Sequence, residues 1–251
     1  MSLWQKKMKA IILSAGKGER LLPLTKDRPK ICIDLGDGTT ILSRQSETLL
    51  RQPDINGVVV GAGHCVGKVE EFASSAGDVI DVIYNPFYAV SGPLVTLWVV
   101  LNRINDAGFI FMNGDTFYSD AVYSKIDDLL SSSRDGIFLL CSHADEVEPD
   151  DIKVRFNTNN KVIEASKSID HHNAISAGMM IVNGDLSNSI FRMALDRAAR
   201  RDDFLNFKKT WHSFLKDLAD EGVDIEPLMA DKSAWAEVDI QSDLHKLQRF
   251  L

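Results

Sequence analysis

Apolar residues along this chain gather into short unbroken runs, set apart by stretches in which they recur every three or four positions. KAIILSAG (9–16), GVVVGAG (57–63), DVIDVIYN (78–85), GFIFMNGD (108–115) and GIFLLCSH (136–143) are runs of the first kind and predict buried strands. The segments 40–52, 68–77 and 123–133 carry the helical spacing and, with the apolar 93–106, a helix despite its valines, predict helices between them. Strict alternation of strand and helix from 9 to about 143 predicts an α/β fold. Its central sheet is doubly wound and mostly parallel, with helices on both faces.

Beyond residue 143 the rhythm changes. DIKVRF and KVIEAS, joined by NTNN, predict a hairpin, and 174–185 a long strand. Helices are expected at 186–201 and 207–221, a short strand at 223–230 and a closing helix at 241–250. No Pro/Gly/Ser-rich linker and no repeat divides the chain. The expectation is one domain over 1–251, with a first half of about 8–143 and an elaborated second half of about 144–251.

Composition narrows the function classes. With 251 residues, 45% hydrophobic and 25% charged, the chain can build a substantial core. A net charge of -8 argues against a nucleic-acid-coating surface, though not against a local basic pocket. Cys32, Cys65 and Cys141 are odd in number and widely spaced, so neither a disulfide framework nor a zinc site reads from them. No apolar run is long enough to span a bilayer, and MSLWQKKMKA lacks the apolar core of a signal peptide. A cytoplasmic protein is expected.

The chemistry concentrates in LSAGKGERLLPLTKDRPK (13–30), where a strand runs into a loop dense in basic side chains. A dinucleotide fingerprint would need a third glycine where Leu21 stands, and the ending of a P-loop is absent. What remains is a loop whose backbone can approach a ligand at Gly16 and Gly18, stiffened by Pro23 and Pro29. Arg20 and Lys30 are placed to meet negative charge. A solvated basic loop would be the bland account. The position at the carboxyl end of a strand, the ligand crevice of such sheets, favours phosphate binding.

Leu13, Ala15, Gly16, Gly18, Arg20, Leu21, Pro23, Leu24, Thr25, Pro29 and Lys30 together resemble the opening motif of the nucleotidyltransferases, the nucleoside-diphosphate-sugar pyrophosphorylase-like family. Further segments resemble later motifs of that family in order: NPFYAVSGPLVTLW (85–98), MNGDT (112–116), IKVRF…EASK (152–167) and WAEVDIQSDL (235–244). The resemblance implies the nucleotide-diphospho-sugar transferase fold, an α/β, Rossmann-like three-layer sandwich with a mixed, mostly parallel central sheet. It also implies a reaction in which a phosphorylated acceptor attacks the α-phosphorus of a nucleoside triphosphate and pyrophosphate leaves.

Carried onto this chain, the resemblance makes Asp115 and Asp239 the ligands of Mg²⁺ and Lys30 the charge at the α-phosphate. Arg20 would meet the β- and γ-phosphates, and Lys167 the acceptor phosphate. Leu13, Ala15, Gly16, Gly18, Arg20, Ser91 and Gly92 would contact the nucleotide. Taken alone, an Asp after Gly is as readily a helix N-cap, and Lys167 a solvated hairpin lysine. Glu237 alternates onto the same side as Asp239 and is a weaker candidate. Among the aromatics, Trp98 and Trp211 are expected in the core, and Trp235 is the candidate for an acceptor contact. His171 and His172, adjacent in a polar loop, receive no role.

Within the family, segments 85–98 and 235–244 look most like the small cytidylyltransferases that make CDP-choline and related CDP-alcohols. Ser91–Leu94 departs from them where Asn residues are common. CTP with a phosphocholine-like alcohol phosphate or a phosphonate is therefore the first expectation. A sugar-1-phosphate nucleotidyltransferase using UTP or dTTP, and a catalytically silent nucleotide-binding regulatory protein, are the alternatives.

Overall fold

The computed structural model of the protein describes residues 8–143, 146–201 and 210–250. The opening residues 1–7 and the start of the helix expected at 207–221 lie outside the described residues. The strands are β1 (Met8–Ser14), β2 (Ile55–Ala62), β3 (Ile80–Tyr84), β4 (Phe109–Asn113), β5 (Thr116–Tyr118), β6 (Gly136–Ser142), β7 (Lys153–Phe156), β8 (Val162–Ser166), β9 (Ala174–Asn183), β10 (Ile225–Met229) and β11 (Trp235–Glu237). The α-helices are α1 (Ile41–Leu50), α2 (Val66–Ala76), α3 (Pro93–Leu101), α4 (Asp120–Ser131), α5 (Asp185–Ala199) and α6 (Phe214–Asp220).

The main sheet runs β10-β6-β9-β4-β1-β2-β3 and is parallel except for β9, which lies antiparallel between β4 and β6. β7 and β8 form the expected hairpin and add to β9. The mostly parallel, helix-covered sheet is the one the alternation predicts, and β9, from the second half, makes it the mixed sheet of the fold that the resemblance implies. β1 shows why its run is apolar throughout. Ala10 and Ile12 face the layer of α1, α2 and α4, while Ile11 and Leu13 face that of α3, α5 and α6. A strand buried on both faces carries no polar alternation.

Local chemistry sets the helix ends. At α1, Thr40 Oγ1 accepts from the Ser43 N–H at 3.1 Å, and Ser43 Oγ accepts from the Thr40 N–H at 2.8 Å. α3 opens on Gly92–Pro93 and stops at Leu101, short of the expected 106, and Asn102 caps it, its backbone N–H and side-chain amide both donating to the Trp98 carbonyl at 3.1 and 2.9 Å. The closing helix expected at 241–250 is a run of 3₁₀ turns over Gln241–Arg249, and α6 is preceded by a 3₁₀ turn at Trp211–Ser213. Trp211 is buried as expected. Trp98 is only part-buried and donates its indole N–H to Asp196 of α5 at 3.0 Å.

Two elements bear directly on the site. β5 follows β4 after a turn at Gly114–Asp115 and pairs antiparallel with β11, Thr116 opposite Glu237 and Tyr118 opposite Trp235. An extended segment was expected near 237–239, but three residues (Thr-Phe-Tyr) are too few for a periodic signal, so β5 was not.

Candidate active site

The site is built at the carboxyl ends of β1 and β4. After Ser14 the chain turns through Gly16 and Gly18. Gly18 has φ 64°, a left-handed conformation that costs other residues steric strain. Its carbonyl accepts from Thr25 Oγ1 at 2.8 Å, which closes the loop on itself. Two short 3₁₀ turns follow, Glu19–Leu21 and Lys30–Cys32. In each a buried aliphatic, Leu21 or Ile31, anchors the turn, and the neighbouring cation, Arg20 or Lys30, projects away from the core.

On the other side, the Gly114 N–H donates to the Leu13 carbonyl at 2.9 Å, tying β1 to the turn that carries Asp115. The Val238 N–H donates to the Asp115 carbonyl at 2.9 Å and continues the β5–β11 pairing up to Asp239. Asp243 then accepts from the N–H groups of Asp239 and Ile240 at 2.9 and 3.0 Å, fixing the backbone there. Residues 124 apart in sequence are thereby brought around one point: Lys30 Nζ lies 2.9 Å from Asp115 Oδ2 and 3.2 Å from Asp239 Oδ1. Arg20 donates to the same Asp239 oxygen at 2.8 Å.

Around this cluster opens a cavity of about 670 Å³. Of the residues singled out in the sequence, Leu13, Gly16, Gly18, Arg20, Lys30, Ser91, Gly92, Asp115 and Asp239 line it. Ala15 does not. It is buried, and its carbonyl accepts from the His64 N–H at 3.1 Å, joining the loop to the end of β2. Lys167 is also outside this cavity, at the end of β8, with its ammonium 2.6 Å from Asp150. A second cavity, of about 870 Å³, shares Arg20 and Asp239 with the first and includes Asp150, Trp235 and Glu237 in its wall.

Trp235 is 2% exposed, donates to Ser142 Oγ at 2.7 Å, and has the Lys232 ammonium 3.6 Å above its ring. The face on which an acceptor cation would sit thus already meets a protein cation. Glu237 stands beside Asp115 and Asp239. Burial first, then those two carboxylates, push its carboxyl up to about 8.

Tyr88, within the 85–98 segment that resembles a family motif, lines the first cavity. Two residues of the site escaped the sequence. Gln45, buried on α1, donates to the Thr116 carbonyl at 2.8 Å and supports the Asp115 turn from behind. Asp150 lies in an acidic loop where no spacing distinguishes one carboxylate from the next.

Chemically, the cavity pairs two cations with two carboxylates at the end of a glycine loop. Among the described residues no group of three or more His, Cys, Asp or Glu forms a ready metal cage. Two carboxylates with room for phosphate oxygens suit Mg²⁺, which takes few protein ligands.

The MobA-like NTP transferase domain family matches residues 10–251, nearly the whole chain. The chain belongs to that family. As a nucleotidyltransferase it carries the activity class that its opening motif implied. Among curated relatives, it is 23% identical to the choline-phosphate cytidylyltransferase of Streptococcus pneumoniae over 97% of this chain and 98% of that one. It is 25% identical to the CTP:phosphoglutamine cytidylyltransferase of Campylobacter jejuni, over 94% and 98%. Its fold matches the inositol-1-phosphate CTP transferase of T. maritima with a TM-score of 0.77 at 18% identity, covering 97% and 96% of the two chains. Among the described residues no helix is long and apolar enough to cross a membrane.

Proposed function

We propose that this chain is a single-domain cytidylyltransferase that joins CTP to a small phosphorylated alcohol or phosphonate and releases pyrophosphate. The observation that carries the reading is Lys30, held 2.9 Å from Asp115 and 3.2 Å from Asp239 at the wall of the cavity formed by the Gly16–Arg20 loop. The cytidylyl preference draws on the names of the two curated relatives, both of them cytidylyltransferases that span almost the full chain.

The chemistry needs little from the protein beyond placement. A phosphate monoester with a second pKa of about 6 is largely ionised at neutral pH and needs no general base to attack. Lys30 then neutralises charge at the α-phosphate, and Arg20 draws the β- and γ-phosphates toward the loop. Arginine suits the second task because its planar fork matches two phosphate oxygens. Lys167 takes the acceptor phosphate. Asp115 and Asp239 would hold Mg²⁺, which supplies Lewis-acid neutralisation of the phosphate oxygens. Ser91 and Gly92, at the start of α3, contact the nucleotide on the far wall.

The test is pyrophosphate release in the presence of Mg²⁺, with each nucleoside triphosphate offered against phosphocholine, phosphoethanolamine, small phosphonates, inositol and glycerol phosphates, and hexose-1-phosphates. Turnover with CTP and a phospho-alcohol or phosphonate is expected. Turnover confined to UTP or dTTP with a hexose phosphate would overturn the cytidylyl assignment.

A further inference from the structure

Asp150 stands in the loop between β6 and β7 and divides its carboxylate between two cations from distant segments. Oδ1 accepts from Lys167 Nζ at 2.6 Å, and Oδ2 accepts from Arg20 Nη1 at 2.9 Å. The turn that carries it is fastened from behind. Asp151 accepts from the Glu148 N–H at 2.8 Å, and the Ser176 N–H of β9 donates to the Ile152 carbonyl at 2.8 Å. The Asp150 side chain itself is 59% exposed, so it can turn away without disturbing the core.

Two oxygens of one anion, set between a guanidinium and an ammonium, reproduce what these cations would offer a phosphate group. Arg20 lines both cavities and Asp150 the second, so the carboxylate lies where the two meet. Lys167, then Arg20, hold the Asp150 carboxyl below the usual carboxylate range, so it is charged at neutral pH.

We propose that Asp150 is a positioning residue. It occupies a phosphate seat between Arg20 and Lys167 in the free protein and yields that seat when a substrate phosphate arrives. This rests on the reading of the site given above. Without Asp150 the two like charges would repel and their side chains would spread. With it they stay side by side, part-neutralised, until a more highly charged anion displaces the carboxylate. The arrangement weakens the grip on phosphate in the ground state and offers Arg20 a partner as pyrophosphate leaves.

The consequence runs opposite to that of a residue which binds substrate: removing Asp150 tightens phosphate binding. Exposed ion pairs are individually weak, so the expected gain is about three- to tenfold. Calorimetric titration with pyrophosphate is the measurement, on the wild-type chain, Asp150→Asn, Asp150→Ala, Arg20→Ala and the Asp150→Asn/Arg20→Ala pair. Both single Asp150 variants free Arg20 and should bind pyrophosphate more tightly, and the gain should shrink to less than about twofold in the Arg20→Ala background. Pyrophosphate should also become a stronger product inhibitor of Asp150→Asn. Folded Asp150 variants that bind pyrophosphate no more tightly than wild type would overturn the placeholder and leave the site reading intact. A wild-type chain that binds neither pyrophosphate nor any nucleoside triphosphate would overturn both.

Discussion

Replacing Lys30 with alanine tests the centre of the site most directly. The Lys30 side chain is 13% exposed, so the medium around it is far from bulk water. A unit charge about 4 Å from charge developing on the α-phosphate, at an effective dielectric of about 20, is worth about 4 kcal/mol. Removal of one preorganised donor from comparable sites costs about 2.7–4 kcal/mol, so the expected fall in kcat is about 10²–10³. The variant also leaves Asp115 and Asp239 facing Glu237 without the Lys30 ammonium between them. Two readouts are therefore paired. Pyrophosphate release under saturating substrates measures kcat, and Mn²⁺ binding without nucleotide measures the uncovered carboxylates. Turnover should collapse while Mn²⁺ binds more tightly, with the far-UV circular dichroism retained. Lys30→Arg should not restore activity, because a broad fork does not replace a compact charge. A folded Lys30→Ala variant within about tenfold of wild-type kcat would refute the reasoning.

Further predictions concern the loop and the buried core. At Gly18 a Cβ would meet Thr25 Cγ2 at 3.0 Å with φ at +64°, so Gly18→Val should cost about 1–2 kcal/mol in urea unfolding and weaken nucleotide binding. Equal stability and affinity would remove the conformational argument for this glycine. Burial drives His212 down to about 3, while its ordinary value is 6.5. The unfolded chain therefore binds the extra proton between those limits, and stability should decline as pH falls from about 6.5 toward 3, by at most ~1.4 kcal/mol per pH unit from this group. His212→Gln should flatten that acid slope in denaturation curves. An unchanged slope would assign the acid sensitivity to other groups.

The layered sheet was readable in advance because each strand of the first half is a local event. An unbroken apolar run such as 9–16 has to be buried on both faces, and the amphipathic segments between the strands can cover only those faces. The cavity-lining loop is legible for a similar reason: Gly16, Gly18, Arg20 and Lys30 lie within one short stretch, where order along the chain is already proximity, and all four line the first cavity. α3 is shorter than its apolar run suggests because Asn102 caps it, its side-chain amide bonding the Trp98 carbonyl, which an apolar pattern does not register.

What depended on the tertiary structure is whatever joins segments far apart in the chain. The pairing of β5 with β11 swings Asp239 against Asp115, and nothing in three residues of either strand announces its partner. Trp235 was placed near the second metal-ligand candidate by sequence distance alone, yet the fold lays Lys232 across its ring. Asp150 is one carboxylate among several in its loop until β6, β8 and the 3₁₀ turn at Glu19–Leu21 converge and give its two oxygens to two cations. Periodicity and motif report backbone preferences and local spacing. Which charge neutralises which is settled only when the sheet closes and the Coulomb energy of neighbours, steep in distance, selects among them.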